Sequence, residues 1–281
     1  MASPMPAITL PSSDVIPVLG QGTWHLAENR GRRNSEIAAL RHGLDVGMTL
    51  IDTAEMYADG EAEILVGEAI EGRRDQVFLV SKVLPHHATR PGAARACEAS
   101  LRRLGTDRLD LYLLHWRGPV PLAETVEAFM ALQAGGLIRN WGVSNFDVGD
   151  MEELLSLPGG NEVRTDQVLY NLSRRAPEFQ LIPICRELSM PIMAYSPIEQ
   201  GRLLGNPVLR DIAARHDASP AQIALAWVLR PDGVCAIPRA SRPQHVDENR
   251  AALDVELDRD DLAALDAEFP PPLHPQPLEM L

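Results

Sequence analysis

The sequence predicts an α/β fold: a single-domain (β/α)8 barrel of the TIM type over residues 1–281, with an N-terminal β-hairpin. Short apolar runs alternate along the chain with longer amphipathic segments, as parallel strands alternate with helices. About eight such strand–helix units fit into the chain, and α/β barrels of about 250 residues are ordinary single domains. No linker, internal repeat or low-complexity tract divides the sequence.

The strand candidates are short apolar runs of the kind that form buried parallel strands. They are VLGQGT near 18–23, TLID near 49–52, VFLVSKV from 77, LDLYLLH from 109, IRNWGVS from 138, TDQVLYN from 165, PIMAYS from 191 and GVCAI from 233. Before them, ITLPSSDVIPVLG has turn-forming residues between two apolar ends and predicts the hairpin.

The helix candidates lie between these strands. They are SEIAALRHGLDVG, EAEILVGEAI, AARACEASLRRLG, ETVEAFMALQAGG, DMEELLSL, IPICRELS and PAQIALAWVLR. Gly47, Gly105 and Gly136 end three of them, which predicts left-handed helix ends. The tail FPPPLHPQPLEML is rich in proline, so we expect it to wrap or extend without adding a helix or strand. An open, doubly wound sheet is the alternative fold, but no GxGxxG motif follows a strand.

Composition and charge exclude several classes of function. The chain has 39 acidic against 26 basic residues, a net charge of −13, which opposes binding to nucleic acid or to an anionic membrane. The sequence shows no signal-peptide pattern and no run of about 20 apolar residues. Cys97, Cys185 and Cys235 stand in apolar surroundings, which predicts buried free thiols. We therefore expect a cytoplasmic monomer.

Four polar side chains stand at or just beyond the ends of three successive strand candidates: Asp52, Tyr57, Lys82 and His115. Asp52 could cap a turn, and Lys82 could face solvent. His115 could be a core histidine bonded to the backbone, and Tyr57 could pack in a loop. Their joint position at the carboxyl end of the predicted barrel, where barrel active sites lie, favours a shared site.

Together these groups suit the polarisation of a carbonyl. An ordinary tyrosine has a pKa near 10, too high for efficient proton transfer at neutral pH. We expect the Lys82 ammonium to lower the pKa of Tyr57 and Asp52 to hold Lys82 charged. His115 would donate a second hydrogen bond to the same carbonyl oxygen. None of the four is an obvious nucleophile with a base, so a cofactor must supply the hydride.

Eight motifs, in order, resemble the aldo-keto reductases. They are GQGTW at 20–24, IDTAEMY at 51–57, SK at 81–82, LHW at 114–116, GVSNF at 142–146, QVLYN at 167–171, AYSP at 194–197 and IPRASRPQHVDEN at 237–249. The resemblance is closest to the compact bacterial branch related to methylglyoxal and diketogulonate reductases. It implies NADPH-dependent reduction of small aldehydes and ketones, with Tyr57 as the general acid.

The resemblance also implies a role for each matching residue. Asp52, Tyr57, Lys82 and His115 match the catalytic tetrad. The expected contacts of the nicotinamide carboxamide are Ser144, Asn145 and Gln167, and the ring-stacking aromatic is Tyr195. Further expected cofactor contacts are Gly22, Thr23, Ser196 and Pro197. Tyr195 would stack on the ring, while the amide and hydroxyl groups suit the carboxamide. Trp24 and Trp116 would wall the substrate pocket, although Trp24 could be core and Gln167 a polar strand end.

The last motif bears on the choice between NADPH and NADH. Arg239 matches a contact to the adenosine 2′-phosphate, and Glu248 and Asn249 match the adenine contacts. His245 stands where the family has arginine, which weakens 2′-phosphate binding and makes it pH-sensitive; Arg242 is the candidate to compensate. A second departure is Ala240, which replaces the usual serine. We expect NADPH as cofactor, with NADH use also possible.

Two other functions fit parts of the sequence. The same barrel could bind NADP(H) as a non-catalytic redox sensor, but binding alone requires neither Tyr57 nor Lys82. A metal-dependent hydrolase could use some of the eight histidines, but no HxH ends a strand, and His86 and His87 would point to opposite faces of an extended segment. We expect no metal. We also expect an open pocket with poor selectivity, because the tail is short.

Overall fold

The computed structural model describes residues 5–281, and strands and helices alternate through them. The strands are β1 (Ala7–Thr9), β2 (Val15–Pro17), β3 (Gln21–Gly22), β4 (Leu50–Asp52), β5 (Phe78–Val83), β6 (Leu109–Leu114), β7 (Ile138–Ser144), β8 (Asp166–Leu169), β9 (Ile192–Tyr195) and β10 (Val234–Ala236). The α-helices are α1 (Arg33–Asp45), α2 (Glu61–Ile70), α3 (Arg90–Leu104), α4 (Leu122–Ala134), α5 (Val148–Ser156), α6 (Leu181–Glu187), α7 (Pro207–Arg215), α8 (Pro220–Leu229), α9 (Pro243–Ala251) and α10 (Arg259–Glu268).

The eight strands from β3 to β10 form one parallel sheet in chain order, and the sheet closes on itself. Closure occurs through bridges from Leu19 to Ala236 and from Gly22 to Arg239. At this seam the Gly20 amide donates to the Ala236 carbonyl at 2.8 Å, and the Ala236 amide donates to the Val18 carbonyl at 2.8 Å. The predicted barrel is therefore confirmed, and the doubly wound alternative is not.

The predicted hairpin is also confirmed, because β1 and β2 pair antiparallel. Its buried side chains Leu10 and Ile16 belong to the same apolar cluster as Leu111, Leu113 and Met193 of the barrel strands. The hairpin thus adds side chains to the core inside the barrel.

Alternation along each strand separates this inner core from an outer one. On β6, Leu111 and Leu113 belong to the inner cluster, whereas Tyr112 belongs to the larger cluster shared with the helices. Tyr112 contacts Phe129 of α4 edge to face, at 5.6 Å between ring centroids. The apolar runs in the sequence arise because both faces of each strand are covered.

Other features agree with the sequence-based expectations. Gly105 ends α3 in the left-handed region, with φ of 63°. Cys97, Cys185 and Cys235 are buried and free. The tail after α10 adds no helix or strand. Within residues 5–281, no helix combines the length and apolar character needed to cross a membrane.

Three helices, α7, α9 and α10, lie where no helix was predicted. Their start signals are nonetheless local, because Asn206 caps α7 before a proline and Asp258 forms a capping box with Asp261 at α10. The start of α9, in contrast, has no side-chain cap.

We expect Gly22→Ala to destabilise the barrel at its seam. A Cβ atom at Gly22 would lie 2.5 Å from the carbonyl oxygen of Ile237, so the first and last strands would have to separate. The free energy of unfolding should fall by about 1–3 kcal/mol in urea denaturation. Gly205→Ala, whose Cβ would meet no atom within 4 Å, is the control; equal losses in both variants would contradict the explanation.

Candidate active site

A cavity of about 690 Å³ opens at the carboxyl ends of the strands. Barrel active sites occur at this end because each strand there passes into a loop that can carry polar side chains without breaking the ladder. Among the residues that line it are Asp52, Tyr57 and His115. Three of the four residues of the predicted catalytic set therefore reach the cavity, and the fourth, Lys82, lies behind them without solvent exposure.

The buried Lys82 ammonium organises this set. Its Nζ atom donates to Asp52 Oδ2 at 2.7 Å, to the Thr53 carbonyl at 2.9 Å and to Tyr57 Oη at 3.0 Å. These three acceptors match the three donors of an ammonium group. The second Asp52 oxygen, Oδ1, accepts from Gln167 Nε2 at 2.7 Å, so both carboxylate oxygens are also bonded.

Tyr57 reaches Lys82 because the chain turns sharply after the strand. Ala58, Asp59 and Gly60 follow it with φ of 48°, 53° and 90°, all in the left-handed region. Consecutive left-handed conformations are energetically unfavourable for non-glycine residues and persist only where the surrounding structure enforces them. The turn leads directly into α2, so the helix start fixes the position of the phenol.

Burial raises the pKa of Tyr57 above its ordinary value, although the neighbouring Lys82 charge acts to lower it. We had expected a net lowering; the contribution of Lys82 has the expected sign, but desolvation of the phenolate is larger. Burial disfavours the Lys82 ammonium too, yet attraction to Asp52 and hydrogen bonding to Asp52 and Tyr57 raise its pKa overall. The site therefore holds a neutral phenol beside a charged ammonium at neutral pH.

His115 is neutral in this site. Burial, with a smaller contribution from Lys82, lowers its pKa to about 2. Its ring lies edge to face with Tyr57, with the two ring centroids 5.7 Å apart. Nδ1 of His115 is buried without a hydrogen-bond partner among the described residues.

The residues expected to contact nicotinamide form a bonded group on the cavity wall. Asn145 Nδ2 donates to Ser144 Oγ and to the His115 carbonyl, both at 3.1 Å. Asn145 Oδ1 accepts from Tyr195 Oη at 2.9 Å. Gln167 also lines the cavity while bonding Asp52, so it links this group to the catalytic set.

The predicted cofactor contacts Gly22, Thr23, Ser196 and Pro197 divide into two kinds. Gly22, Ser196 and Pro197 line the cavity. Thr23 does not, because it is buried and its hydroxyl donates to the Asp52 carbonyl at 2.9 Å. Thr23 therefore joins β3 to β4 behind the cavity wall.

The residues expected at the adenosine end lie on and before α9. Arg239 and His245 line the cavity, and Arg242 Nη2 lies 3.3 Å from His245 Nε2. Asn249 is one helical turn after His245; it is buried, and its Nδ2 atom has no partner within residues 5–281. Glu248 is exposed and does not line the cavity.

Part of the cavity wall is apolar. Trp24 and Trp116 line it as predicted, together with Met56, Met280 and Leu281, which the sequence analysis did not identify. Met56 directly precedes Tyr57, so its place in IDTAEMY was a usable signal. The tail returns to the cavity and forms part of its wall through Met280 and Leu281.

The comparisons with known proteins agree with this geometry. The model of the aldo/keto reductase family matches residues 18–268. This chain belongs to the aldo/keto reductase family. Among similar proteins, methylglyoxal reductase YeaE of Escherichia coli is 54% identical over 276 residues, which are 96% of this chain and 97% of that protein. The chain is therefore an oxidoreductase.

Two solved structures of aldo-keto reductases from Klebsiella pneumoniae are similar over nearly the whole barrel. One, in complex with NADP and acetate, has a TM-score of 0.96 and 49% identity and covers 98% of this chain and 99% of its own. The other, in complex with NADPH, has a TM-score of 0.95 and 48% identity and covers 99% of this chain and 100% of its own.

We expect Lys82→Met to destabilise this aldo/keto reductase by about 3–5 kcal/mol, because it leaves the Asp52 carboxylate buried without its counter-charge. Urea denaturation measures the change. The double variant Asp52→Asn with Lys82→Met removes both charges and should recover part of the loss. If Lys82→Met is as stable as the native protein, leaving the Asp52 carboxylate buried without Lys82 does not have the predicted cost in free energy of unfolding.

Proposed function

We propose that this aldo/keto reductase uses NADPH to reduce small aldehydes and ketones, such as 2-oxoaldehydes of the methylglyoxal type, with Tyr57 as the general acid. One observation carries the proposal: a neutral phenol at the cavity surface is bonded to a fully buried ammonium. Such a pair can release a proton to an oxygen that gains negative charge, because the ammonium stabilises the phenolate left behind.

In this proposal each member of the tetrad has a separate task. The substrate carbonyl oxygen lies between Tyr57 Oη and the His115 ring, and the neutral imidazole donates a hydrogen bond without adding charge. NADPH, when bound, supplies the hydride that the carbonyl carbon accepts. Tyr57 transfers its proton to the oxygen and regains one from solvent afterwards. Asp52 keeps Lys82 charged and oriented throughout.

The cavity and the neighbouring helix α9 supply suitable groups for a nicotinamide dinucleotide phosphate, although Arg242 and Asn249 do not line the cavity itself. Asn145, Ser144 and Gln167 offer amide and hydroxyl groups, and Tyr195 offers a ring face. Arg239 and Arg242 supply positive charge for the 2′-phosphate. The buried Nδ2 atom of Asn249, which has no partner within residues 5–281, suits a ring nitrogen of adenine. The complexes of the Klebsiella relatives with NADP and NADPH support this assignment. NADH is a second possible cofactor in this proposal.

We further propose that the protein acts as a monomer in the cytoplasm, on a small carbonyl substrate and without nucleic acid, membrane or metal. The net charge of −13 and the three buried free thiols support this.

Replacement of the proposed acid should stop turnover but not binding. In Tyr57→Phe we expect kcat for methylglyoxal reduction, followed as NADPH oxidation at 340 nm, to fall at least about a hundredfold. The dissociation constant of NADPH, from a fluorescence titration, should stay within about twofold and serves as the control. Substantial residual turnover would contradict the role of Tyr57. If the native protein binds NADPH tightly but reduces no small aldehyde, a non-catalytic sensor becomes the better interpretation.

A guanidinium at position 245 should strengthen binding of the 2′-phosphate of NADPH. We expect His245→Arg to lower KM for NADPH about threefold or more and to leave KM for NADH unchanged, because only NADPH carries the extra phosphate. His274→Arg adds the same charge at an exposed position of the tail and is the control. An equal change for both cofactors would show that residue 245 does not contact the 2′-phosphate.

A further inference from the structure

One buried carboxylate beside the tetrad has no task in the proposed reaction. Glu55 lies in the chain between Asp52 and Tyr57, and its side chain is 9% exposed although it does not line the cavity. Its Oε1 atom accepts from the Leu84 amide at 2.6 Å and from His87 Nδ1 at 3.0 Å. Burial of a carboxylate is costly unless the group is bonded, so these two contacts are what allows Glu55 to be buried here.

The two contacts join the segment that carries Tyr57 to the loop after β5. That loop begins directly beyond Lys82 and Val83 and contains a single 3₁₀ turn, Pro85–His87. The backbone joins the same two segments, because the Glu55 amide donates to the Lys82 carbonyl at 3.3 Å. The bond between Lys82 Nζ and Tyr57 Oη crosses the same gap. The separation of the two segments therefore sets the length of that bond.

The loop after β5 is itself firmly held, so it can fix the position of a neighbouring segment. The Thr125 hydroxyl of α4 donates to the Ala88 carbonyl at 3.2 Å, and Thr89 caps α3 immediately afterwards. On the other side, Gly118 of the loop after β6 packs on Pro85 so closely that a Cβ atom there would lie 2.2 Å from Pro85 Cβ. Two helices and a neighbouring loop thus restrain the residues around His87.

The segment that carries Tyr57 needs such support, because the three residues after it are left-handed. Its far end is held by α3. Arg103 packs against Gly60, where a Cβ atom would lie 2.7 Å from Arg103 Cδ, and its Nε atom donates to the buried Glu63 at 2.6 Å. Its near end is held by Glu55. Tyr57 therefore lies between two anchored points.

The two adjacent histidines of the 3₁₀ turn differ in their contacts. His87 directs Nδ1 to the Glu55 carboxylate, so in its neutral form this nitrogen carries the proton. His86 is exposed, and its ring lies against that of His87, with the ring centroids 4.2 Å apart. Two residues of the same type in one turn thus allow the contact with Glu55 to be tested by itself.

We propose that Glu55 and His87 are a positioning pair: they hold the segment that carries Tyr57 against the loop after β5 and so keep the phenol within hydrogen-bond distance of Lys82. This inference rests on the proposed role of Tyr57 as the general acid and adds two residues to the reaction. The pair acts through the position of Tyr57 Oη and not through its own charge, because the charges that shift the pKa of Tyr57 are those of Lys82 and Asp52.

The first test is a set of matched variants in methylglyoxal reduction. In His87→Ala and in Glu55→Ala, kcat should fall about tenfold, because a misplacement of about 1 Å at a reacting group can cost up to about a hundredfold. The dissociation constant of NADPH should stay within about twofold, since neither residue lines the cavity. His87→Asn keeps an N–H donor and Glu55→Gln keeps an acceptor oxygen, so both should retain kcat within about threefold of the native value.

Two controls separate positioning from general loss of stability. His86→Ala removes the neighbouring histidine of the same turn. His216→Ala removes a histidine that bonds the Asp261 carboxylate at 2.6 Å between α7 and α10. Both should keep the native kcat. The inference is overturned by native kcat in both His87→Ala and Glu55→Ala, or by conservative variants that are as slow as the alanine variants.

A measurement without turnover separates this inference from the proposed function. The amides of Thr53, Glu55, Tyr57 and Asp59 are hydrogen-bonded to backbone carbonyls, so their deuterium exchange, measured by mass spectrometry with NADP+ bound, reports how firmly the segment is held. Exchange at least about fivefold faster in His87→Ala and Glu55→Ala, with native exchange in His86→Ala, supports the inference. That result stands even if the native protein reduces no aldehyde, in which case the proposed function fails. Native exchange in both variants overturns the inference even if turnover is robust.

Discussion

The arrangement of the active end depends on one interaction, the burial of the Lys82 ammonium against the Asp52 carboxylate. Charges removed from water cost several kcal/mol each unless every donor and acceptor is bonded. The Lys82 ammonium donates hydrogen bonds to Asp52, to the Thr53 carbonyl and to Tyr57. The second oxygen of the Asp52 carboxylate accepts a hydrogen bond from Gln167. Because β4 and β8 are not neighbours in the sheet, the bond from Gln167 to Asp52 also fixes the width of the barrel mouth.

The same burial sets the protonation of the site. Desolvation raises the pKa of Tyr57 and lowers that of His115, so two neutral hydrogen-bond donors lie beside a cation that solvent cannot reach. A carbonyl in the cavity would meet the donors directly and the positive charge only through the phenol. The stability of the fold and the protonation of the site therefore depend on the same contacts. A substitution that weakens these contacts changes both.

Features encoded locally could be predicted from the sequence. The strands follow from their apolar runs, and the grouping of Asp52, Lys82 and His115 follows from their place at strand ends. The net rise in the pKa of Tyr57 could not be predicted, because it depends on how completely the folded chain excludes water. Nor could the position of Met280, since it depends on the contact between Glu279 and Arg174, which are 105 residues apart. Thr23 occurs in a motif that indicates a cofactor contact, but its hydroxyl donates to the Asp52 carbonyl instead.

The seam between β3 and β10 has a consequence for the order of events during synthesis. By the time residue 115 leaves the ribosome, all four tetrad residues have emerged, but the strand that closes the barrel arrives only with residues 234–236. Until then β3, the first strand of the barrel, has no neighbouring strand on one side. Lys82 is then not yet enclosed by the complete barrel that excludes water from it. A nascent chain, or one released early by a stalled ribosome, thus carries the whole tetrad without the cavity in which to use it.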